Sequence, residues 1–382
     1  MKKVNASQGK TENLRIVLIG GYGGGNIGDE AICFVTATLI KQLSPSPELS
    51  IVTFNRKVSE GVVKDVDWIE YKNIPFTLFW LRHFGKIYEV KKAAYALKTL
   101  MSADRVIVGG GGLFYDHRYT HLLAWSSLIL LLRLLGKKYS IYAHSFYRSK
   151  KKAAGFLIRW IMKNAEKISV RDPLSEQYCA DNGRLDCKIT SDPAFALPAL
   201  VAEKGLRSEK EKKILLAPRP WGKGDANMRA WVALVKVLER YFEGYGVYLL
   251  PMDPRMDRKF CDDIRNASGG KCRVLGVNYS DMTGFIEELS SASAVVAMRL
   301  HAAILSLAVD TPAVGISYDP KVSGVFMSMG RSGLCMPWEE FVSDGGISRV
   351  IEMVRKTEPG EYKVMDHLLE VKNNVMWHIG HG

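Results

Sequence analysis

Short apolar runs alternate with longer stretches of helical spacing along most of this chain. Arg15 to Gly20 is an apolar run ending in glycines, and Asp29 to Leu43 follows with apolar residues at helical intervals. Leu49 to Phe54 reads as a second strand and Trp80 to Leu100 as a basic, aromatic helix. Arg105 to Val108 is a strand running into the glycines 109–112. An apolar helix from Leu122 to Leu135, a strand from Tyr139 to Ala143, a helix from Ala153 to Ala165 and a strand from Lys167 to Val170 complete this first series. Strands that alternate with helices imply a parallel sheet covered on both faces.

The pattern breaks from Pro193 to Lys212 and then restarts. Lys213 to Ala217, Gly246 to Pro251, Ala294 to Ala297 and Ala313 to Ser317 read as strands; Met228 to Phe242, Asp257 to Ile264, Asp281 to Ser290 and Leu300 to Val309 read as helices. At 382 residues the chain is also too long for one ordinary core. The expected fold is therefore α/β, with two tandem Rossmann-like, doubly wound domains. Residues 1–196 would form the first, 197–212 a linker and 213–382 the second, the last helix being free to pack back on the first domain. Such a pair leaves a ligand cleft between the domains, at the carboxyl ends of the strands.

Composition narrows the function without naming it. Hydrophobic residues make up 47% and charged ones 24%, as in globular proteins. Lys and Arg outnumber Asp and Glu by 53 to 40, and a net charge of +13 favours anionic partners. No zinc-finger spacing or RNA-recognition signature accompanies that charge, so nucleic acid is not expected. Six cysteines without a CxxC pair read as reduced structural thiols in a cytoplasmic protein. Met1 to Glu12 is polar and does not read as a signal peptide. The run from Leu122 is about fourteen residues, short of the ~20 that span a bilayer.

Two glycine loops and one late motif carry the candidate chemistry. Gly23 to Gly28 satisfies GxGxxG between a strand and a helix, a context that suits a phosphate or a nicotinamide dinucleotide. Yet the second strand ends at Phe54-Asn55-Arg56 without an acid for a ribose, and Asp29 and Glu30 would repel a pyrophosphate. A tight loop lining a substrate cleft fits better, with Gly23, Asn26 and Asp29 as candidate substrate contacts. Gly110, Gly111 and Gly112 form a second backbone concavity able to hold an anion or a sugar hydroxyl. Arg299-Leu300-His301, followed by Tyr318-Asp319-Pro320-Lys321, gathers a guanidinium fork, an imidazole and a mobile ammonium. That set suits a small substrate with more than one negative charge that is protonated as it reacts. No cluster argues for a metal.

In order, Gly21-Tyr22 with Asn26 to Ile32, the glycines 109–112, Arg171-Asp172-Pro173-Leu174-Ser175, Ser191-Asp192-Pro193-Ala194-Phe195, Leu216-Ala217-Pro218-Arg219, Arg299-Leu300-His301 and Tyr318 to Val322 resemble the motifs of the polysaccharide pyruvyl transferases. The chain looks most similar to the bacterial cell-surface-anchoring branch. The resemblance spans roughly residues 15 to 340 and implies a GT-B-like arrangement of the two domains. It implies transfer of pyruvate from phosphoenolpyruvate onto two sugar hydroxyls, forming a cyclic ketal and phosphate without a cofactor. For this branch it implies an acceptor such as N-acetylmannosamine on a polyprenyl diphosphate. That acceptor would bring the protein to the inner face of the membrane and make it part of secondary cell wall polymer synthesis and S-layer anchoring. Tyr142 to Phe146 departs from the Gly-Ile-Gly-Pro turn of many relatives.

Phosphoenolpyruvate carries a carboxylate and a phosphate, so two cationic anchors are expected. Arg299 is the first candidate and Arg171 the second, the latter open to an ion pair with Asp172 instead. Arg148 and Arg219 are weaker ones, and Lys321 would neutralise the leaving phosphate. His301 would act as general acid and base, with His144 as a lesser candidate and Tyr318 beside the donor. Asp192 and Asp319 would orient cations or simply form turns. One rival is a nucleotide-sugar glycosyltransferase of GT-B architecture. Retaining enzymes of that kind use a late carboxylate pair, whereas only Asp310 and Asp319 occur between Arg299 and Trp338. A second rival is a non-catalytic module binding anionic glycan or lipid. Trp80 to Lys92 mixes aromatics and cations as an interfacial helix would.

Overall fold

The computed structural model describes residues 13–81, 90–116, 119–201, 209–358 and 364–380. The first sheet is built from β1 (Arg15–Ile19), β2 (Glu48–Thr53), β3 (Asp67–Glu70), β4 (Arg105–Gly111), β5 (Ser140–His144), β6 (Ile168–Val170) and β7 (Lys188–Ile189). The second contains β8 (Lys213–Ala217), β9 (Gly246–Leu249), β10 (Arg273–Val274), β11 (Ala294–Ala297), β12 (Ala313–Ser317) and β13 (Cys335–Pro337). Strand order is β3-β2-β1-β4-β5-β6-β7 in one and β10-β9-β8-β11-β12-β13 in the other, with every pairing parallel. In both sheets the order reverses beside the first strand, and the crevice at that reversal is where such sheets bind ligands.

The central strands are aliphatic because both their faces are covered. Ile16, Val17, Leu18 and Ile19 are all buried, and β1 pairs Ile19 with Val52 on one side and Val108 on the other. Helices begin at side-chain caps that take up free backbone N–H groups. Asn26 accepts from Gly28, Asp172 from Ser175, Asp281 from Gly284 and Asp319 from Lys321. The helix Leu300–Ala308 is apolar and buried almost all round, packing on β11 and against the helix Ile27–Leu43 of the first sheet. Each of its buried leucines contributes roughly 1.5–3 kcal/mol. That burial fixes the position of its first residues, which reach the cleft.

Two stretches differ from their reading as sequence. The segment from Pro193 begins as buried structure, with Pro193 to Leu197 in the core and a short helix, Leu197–Val201, against Met282–Ser291 and Leu300–Ala308. The strand read as Arg105–Val108 continues through Gly111, because glycines there adopt backbone angles closed to other residues. The helix Val364–Ile379 returns to the first sheet. Its His378 Nε2 lies 2.9 Å from Ser169 Oγ and its His367 Nδ1 2.6 Å from Ser191 Oγ. Residues 82–89 of the expected interfacial helix lie outside the described residues; on either side are helices Leu78–Leu81 and Val90–Ser102. Among the described residues, no helix is long and apolar enough to cross a membrane.

Candidate active site

The two sheets meet at the first glycine loop. Ile27 donates its backbone N–H to Met252 O at 3.0 Å, joining the start of the first helix to the loop after β9. Beside this contact the His301 ring lies directly on Gly28. A Cβ at position 28 would stand 1.9 Å from His301 Nδ1, so only glycine admits the imidazole. Gly23, at φ +75°, is equally constrained, since a Cβ there would meet Thr53 Oγ1 at 2.0 Å. The loop's shape is held by Glu30, whose Oε1 accepts from Gly23 N and Gly25 N at 2.9 and 3.1 Å. Burial pushes the Glu30 carboxyl up to about 7 despite those two bonds.

His301 faces a carboxylate held by an arginine. Its Nε2 stands 3.8 Å from Asp192 Oδ2, beyond hydrogen-bond reach, and is buried without a hydrogen-bond partner. Asp192 accepts from Ala194 N at 2.9 Å and is paired through Oδ2 with Arg171 Nη1. Arg171 Nε donates to Ser145 Oγ at 2.7 Å, and Ser145 Oγ donates to Asp172 Oδ2 at 2.8 Å. The ion pair weighed for Arg171 therefore forms with Asp192, while Asp172 turns aside to cap its own helix. Burial alone would raise the Asp192 carboxyl; Arg171 and His301 outweigh it and hold it well below the usual carboxylate range. Asp192 thus combines the two roles read for it, turn former and partner of cations.

Asp29 lies on the same side of the cleft in the opposite electrostatic condition. Its carboxyl group is half-buried between the two glycine loops; a Cβ on Gly21 would stand 3.3 Å from it and one on Gly111 3.6 Å. Burial raises its pKa above the ordinary aspartate value, against the attraction of His301, Arg171 and Lys321. Gly110 packs against Ile32, whereas a Cβ on Gly112 would meet nothing within 4 Å. The second glycine loop is therefore closely packed at Gly109 and Gly110 and open at Gly112.

The expected cationic anchors divide. Arg299 forms a two-pronged ion pair with Asp257, Nε to Oδ2 at 2.9 Å and Nη2 to Oδ1, both side chains buried. Asp257 also accepts from Met252 N and Asp253 N at 3.1 and 2.9 Å. Arg299 thereby fastens the His301 turn to the loop that carries Met252 and Arg255, with its Nε and Nη2 engaged by Asp257 where a donor anchor was expected. Arg219 is different. Its Nη1 donates to Tyr318 OH at 2.6 Å, its guanidinium sits 4.6 Å from the Tyr318 ring centroid and 5.7 Å from that of Trp221, and its Nε is buried without a partner. No carboxylate among the described residues pairs with it. Lys321 Nζ lies 5.5 Å from the Tyr318 ring centroid and 3.9 Å from Asp319 Oδ2, too far for a hydrogen bond.

The remaining candidates take up structural positions. His144 is fully buried, its Nε2 accepting from Leu113 N at 2.9 Å and Phe114 N at 3.2 Å, with its ring stacked on Phe114. Burial, then Arg171, hold its pKa well below the imidazole range, so it is a neutral acceptor shaping the glycine loop rather than a substrate contact. Ala143 before it has φ +43°, and β5 loses its register with β6 between Ile141 and His144. That irregularity turns His144 inward in the segment that departs from the family turn. Asn26 is engaged as a helix cap, and Arg148 is exposed. Sequence reasoning missed Asp257, Ser145 and Trp221. Only Trp221, two residues from Arg219, left a signal, since arginine favours aromatic faces.

The overall fold is shared with sugar-nucleotide enzymes. UDP-N-acetylglucosamine 2-epimerase from Rickettsia bellii superposes with a TM-score of 0.62 at 10% identity, covering 96% of each chain. S. aureus MnaA with UDP gives 0.61 at 11% identity, covering 96% of this chain and 97% of that one. The Methanocaldococcus jannaschii UDP-GlcNAc 2-epimerase gives 0.59 at 8% identity, covering 96% and 99%. At such identities the likeness establishes the GT-B-like arrangement of two α/β domains and nothing about substrates. No curated protein sequence matches the chain. The family model for polysaccharide pyruvyl transferase, however, matches residues 26–320, from the Asn26 cap through the glycine run, Arg171, Asp192 and His301 to Pro320. The chain thus belongs to the polysaccharide pyruvyl transferase family.

Proposed function

We propose that this transferase takes pyruvate from phosphoenolpyruvate and closes it as a cyclic ketal on two hydroxyls of a sugar, releasing phosphate. The observation that carries this reading is an imidazole packed on the first glycine loop with its Nε2 buried and unpartnered. Arg219 and Lys321, neither in a close ion pair, supply positive charge on the side of the second sheet. Arg219 and Lys321 would hold the phosphate and carboxylate of the donor, Tyr318 and Trp221 would wall it, and the low dielectric there strengthens both contacts. Protonation of the donor's methylene carbon by His301 makes C2 electrophilic, and the first sugar hydroxyl adds to it. The second hydroxyl then displaces phosphate and closes the ring. Arg171 acts through Asp192, whose carboxylate faces the imidazole at 3.8 Å and would favour its protonated form.

The acceptor reading is N-acetylmannosamine or a related sugar on a polyprenyl diphosphate, presented at the cytoplasmic face of the membrane. Phe76, Leu81 and Val90 are exposed and apolar, as residues facing lipid would be. Co-sedimentation with anionic and neutral vesicles at low and high salt tests it: binding should need anionic lipid and weaken in salt. The donor is tested by phosphate release from phosphoenolpyruvate across a panel of sugars, with UDP-sugars as competing donors. Acceptor-dependent release from phosphoenolpyruvate supports the reading. Transfer from a UDP-sugar with phosphoenolpyruvate inert would replace it by a glycosyltransferase.

A further inference from the structure

We propose that Asp29 is a second catalytic residue, the base that takes the proton from the first attacking sugar hydroxyl and returns it to the departing phosphate. The proposal rests on phosphoenolpyruvate being the donor. Its ground is the position of Asp29, which neither the helix cap nor the glycine loop uses. Asn26 caps the helix and Glu30 holds the loop, and no hydrogen bond to the Asp29 carboxyl group appears among the described residues. Its carboxyl group instead stands in a slot walled by Gly21 and Gly111, the adjoining Gly112 leaving open space. His301 is packed on Gly28, the residue immediately before it.

The charges around Asp29 come from every wall of the cleft. Arg171 faces it from the end of β6, His301 from the helix Leu300–Ala308, Lys321 from the helix Pro320–Ser328 and Arg255 from the loop after β9. Asp253, Glu30 and Tyr22 face it as acids. Asp192, by contrast, is tied to Arg171 and kept ionised, so it cannot carry a proton. Two carboxylates with opposed environments in one site separate the proton carrier from the charge that orients its neighbour.

The proton ledger then closes. In the first step the protonated His301 gives its proton to the methylene carbon, C3, and the C2=C3 π pair forms the new C–H bond. The first hydroxyl oxygen bonds to C2 and its proton passes to the Asp29 carboxylate. In the second step the other hydroxyl oxygen bonds to C2 as the C2–O bond to phosphate breaks, the electron pair leaving with the phosphate oxygen. Neutral His301 takes the second hydroxyl proton, and the Asp29 carboxylic acid gives its proton to the phosphate. Both groups end as they began, and no co-reactant is needed.

The test measures phosphate release, phosphoenolpyruvate binding and thermal unfolding for the wild type, Asp29→Asn and Asp29→Ser. Turnover should fall about 10²-fold in both variants, with the phosphoenolpyruvate dissociation constant unchanged and the melting temperature not lowered. In the wild type, turnover should fall as pH drops and Asp29 takes up a proton, and that acid-side limb should be absent from the variants' residual activity. Near-normal turnover in the variants, or an unchanged acid limb, would overturn the assignment of Asp29 alone. A wild type that releases no phosphate from phosphoenolpyruvate with any sugar would overturn the donor reading and this role with it. If neither variant folds, the carboxyl resonance of Asp29 in carbon-13-labelled wild-type protein decides: titration at or below the ordinary aspartate range would overturn the proposal.

Discussion

The two walls of the cleft are built from opposite materials. The wall from the first sheet offers glycine backbone and carboxyl groups, with Asp29 and Glu30 both pushed up by burial and Asp192 held down by Arg171. The wall from the second sheet offers cations, with Arg219 and Lys321 lacking a close carboxylate and Arg299 tied to Asp257. A neutral polyol finds acceptors and proton carriers on the first wall, and a small polyanion finds its counter-charge on the second. His301, carried by the second wall and packed on Gly28 of the first, belongs to both. On the function proposed above, sugar would take the first side and donor the second, and the two unlike arginines are the sharpest place to break that division.

Arg299→Ala should give the largest effect, a loss of about 3–5 kcal/mol in denaturant unfolding, because it strands the buried Asp257 carboxylate. Arg219→Ala should cost only about 1 kcal/mol, the scale of its aromatic contacts. Equal losses would erase the distinction between a structural and a binding arginine. His301→Gln should lower turnover by about 10²-fold with donor binding intact, checked by steady-state phosphate release and calorimetry. Glu30→Gln probes the first wall through pH. The Glu30 carboxyl is raised to about 7, so its stabilising contribution is complete below its unfolded pKa and is lost as pH rises through 7. The glutamine variant should therefore be more stable than wild type above neutral pH, by on the order of 1–3 kcal/mol, with the gain vanishing near pH 4; melting curves across pH check this. Arg219→Lys should give about a tenfold rise in the donor's Michaelis constant, since a point charge replaces a fork.

The alternation of strands and helices was legible because long, buried, parallel strands are aliphatic throughout. Edge strands such as Lys188–Ile189 and Arg273–Val274 were not, being two residues long and largely exposed. Among site residues, His301 and the glycine loops were visible as motifs, and Arg171 and Asp192 as members of them. The partnerships were hidden. Asp257 pairs with Arg299 across forty-two positions, and nothing in its local sequence marks it. His144 stood in a suggestive motif, but its neutral, buried state depends on Phe114 and on a left-handed turn at Ala143 that only the sheet reveals. Asp29 stood among the candidate substrate contacts, but that Asn26 caps the helix and Glu30 holds the loop, leaving Asp29 to neither task, shows only in the fold.

Calorimetric titration of phosphoenolpyruvate into wild type, Arg219→Lys and Asp29→Asn tests the division of the cleft most directly. The dissociation constant should be raised about tenfold by Arg219→Lys and unchanged by Asp29→Asn. Donor binding lost in Asp29→Asn and intact in Arg219→Lys would contradict that division.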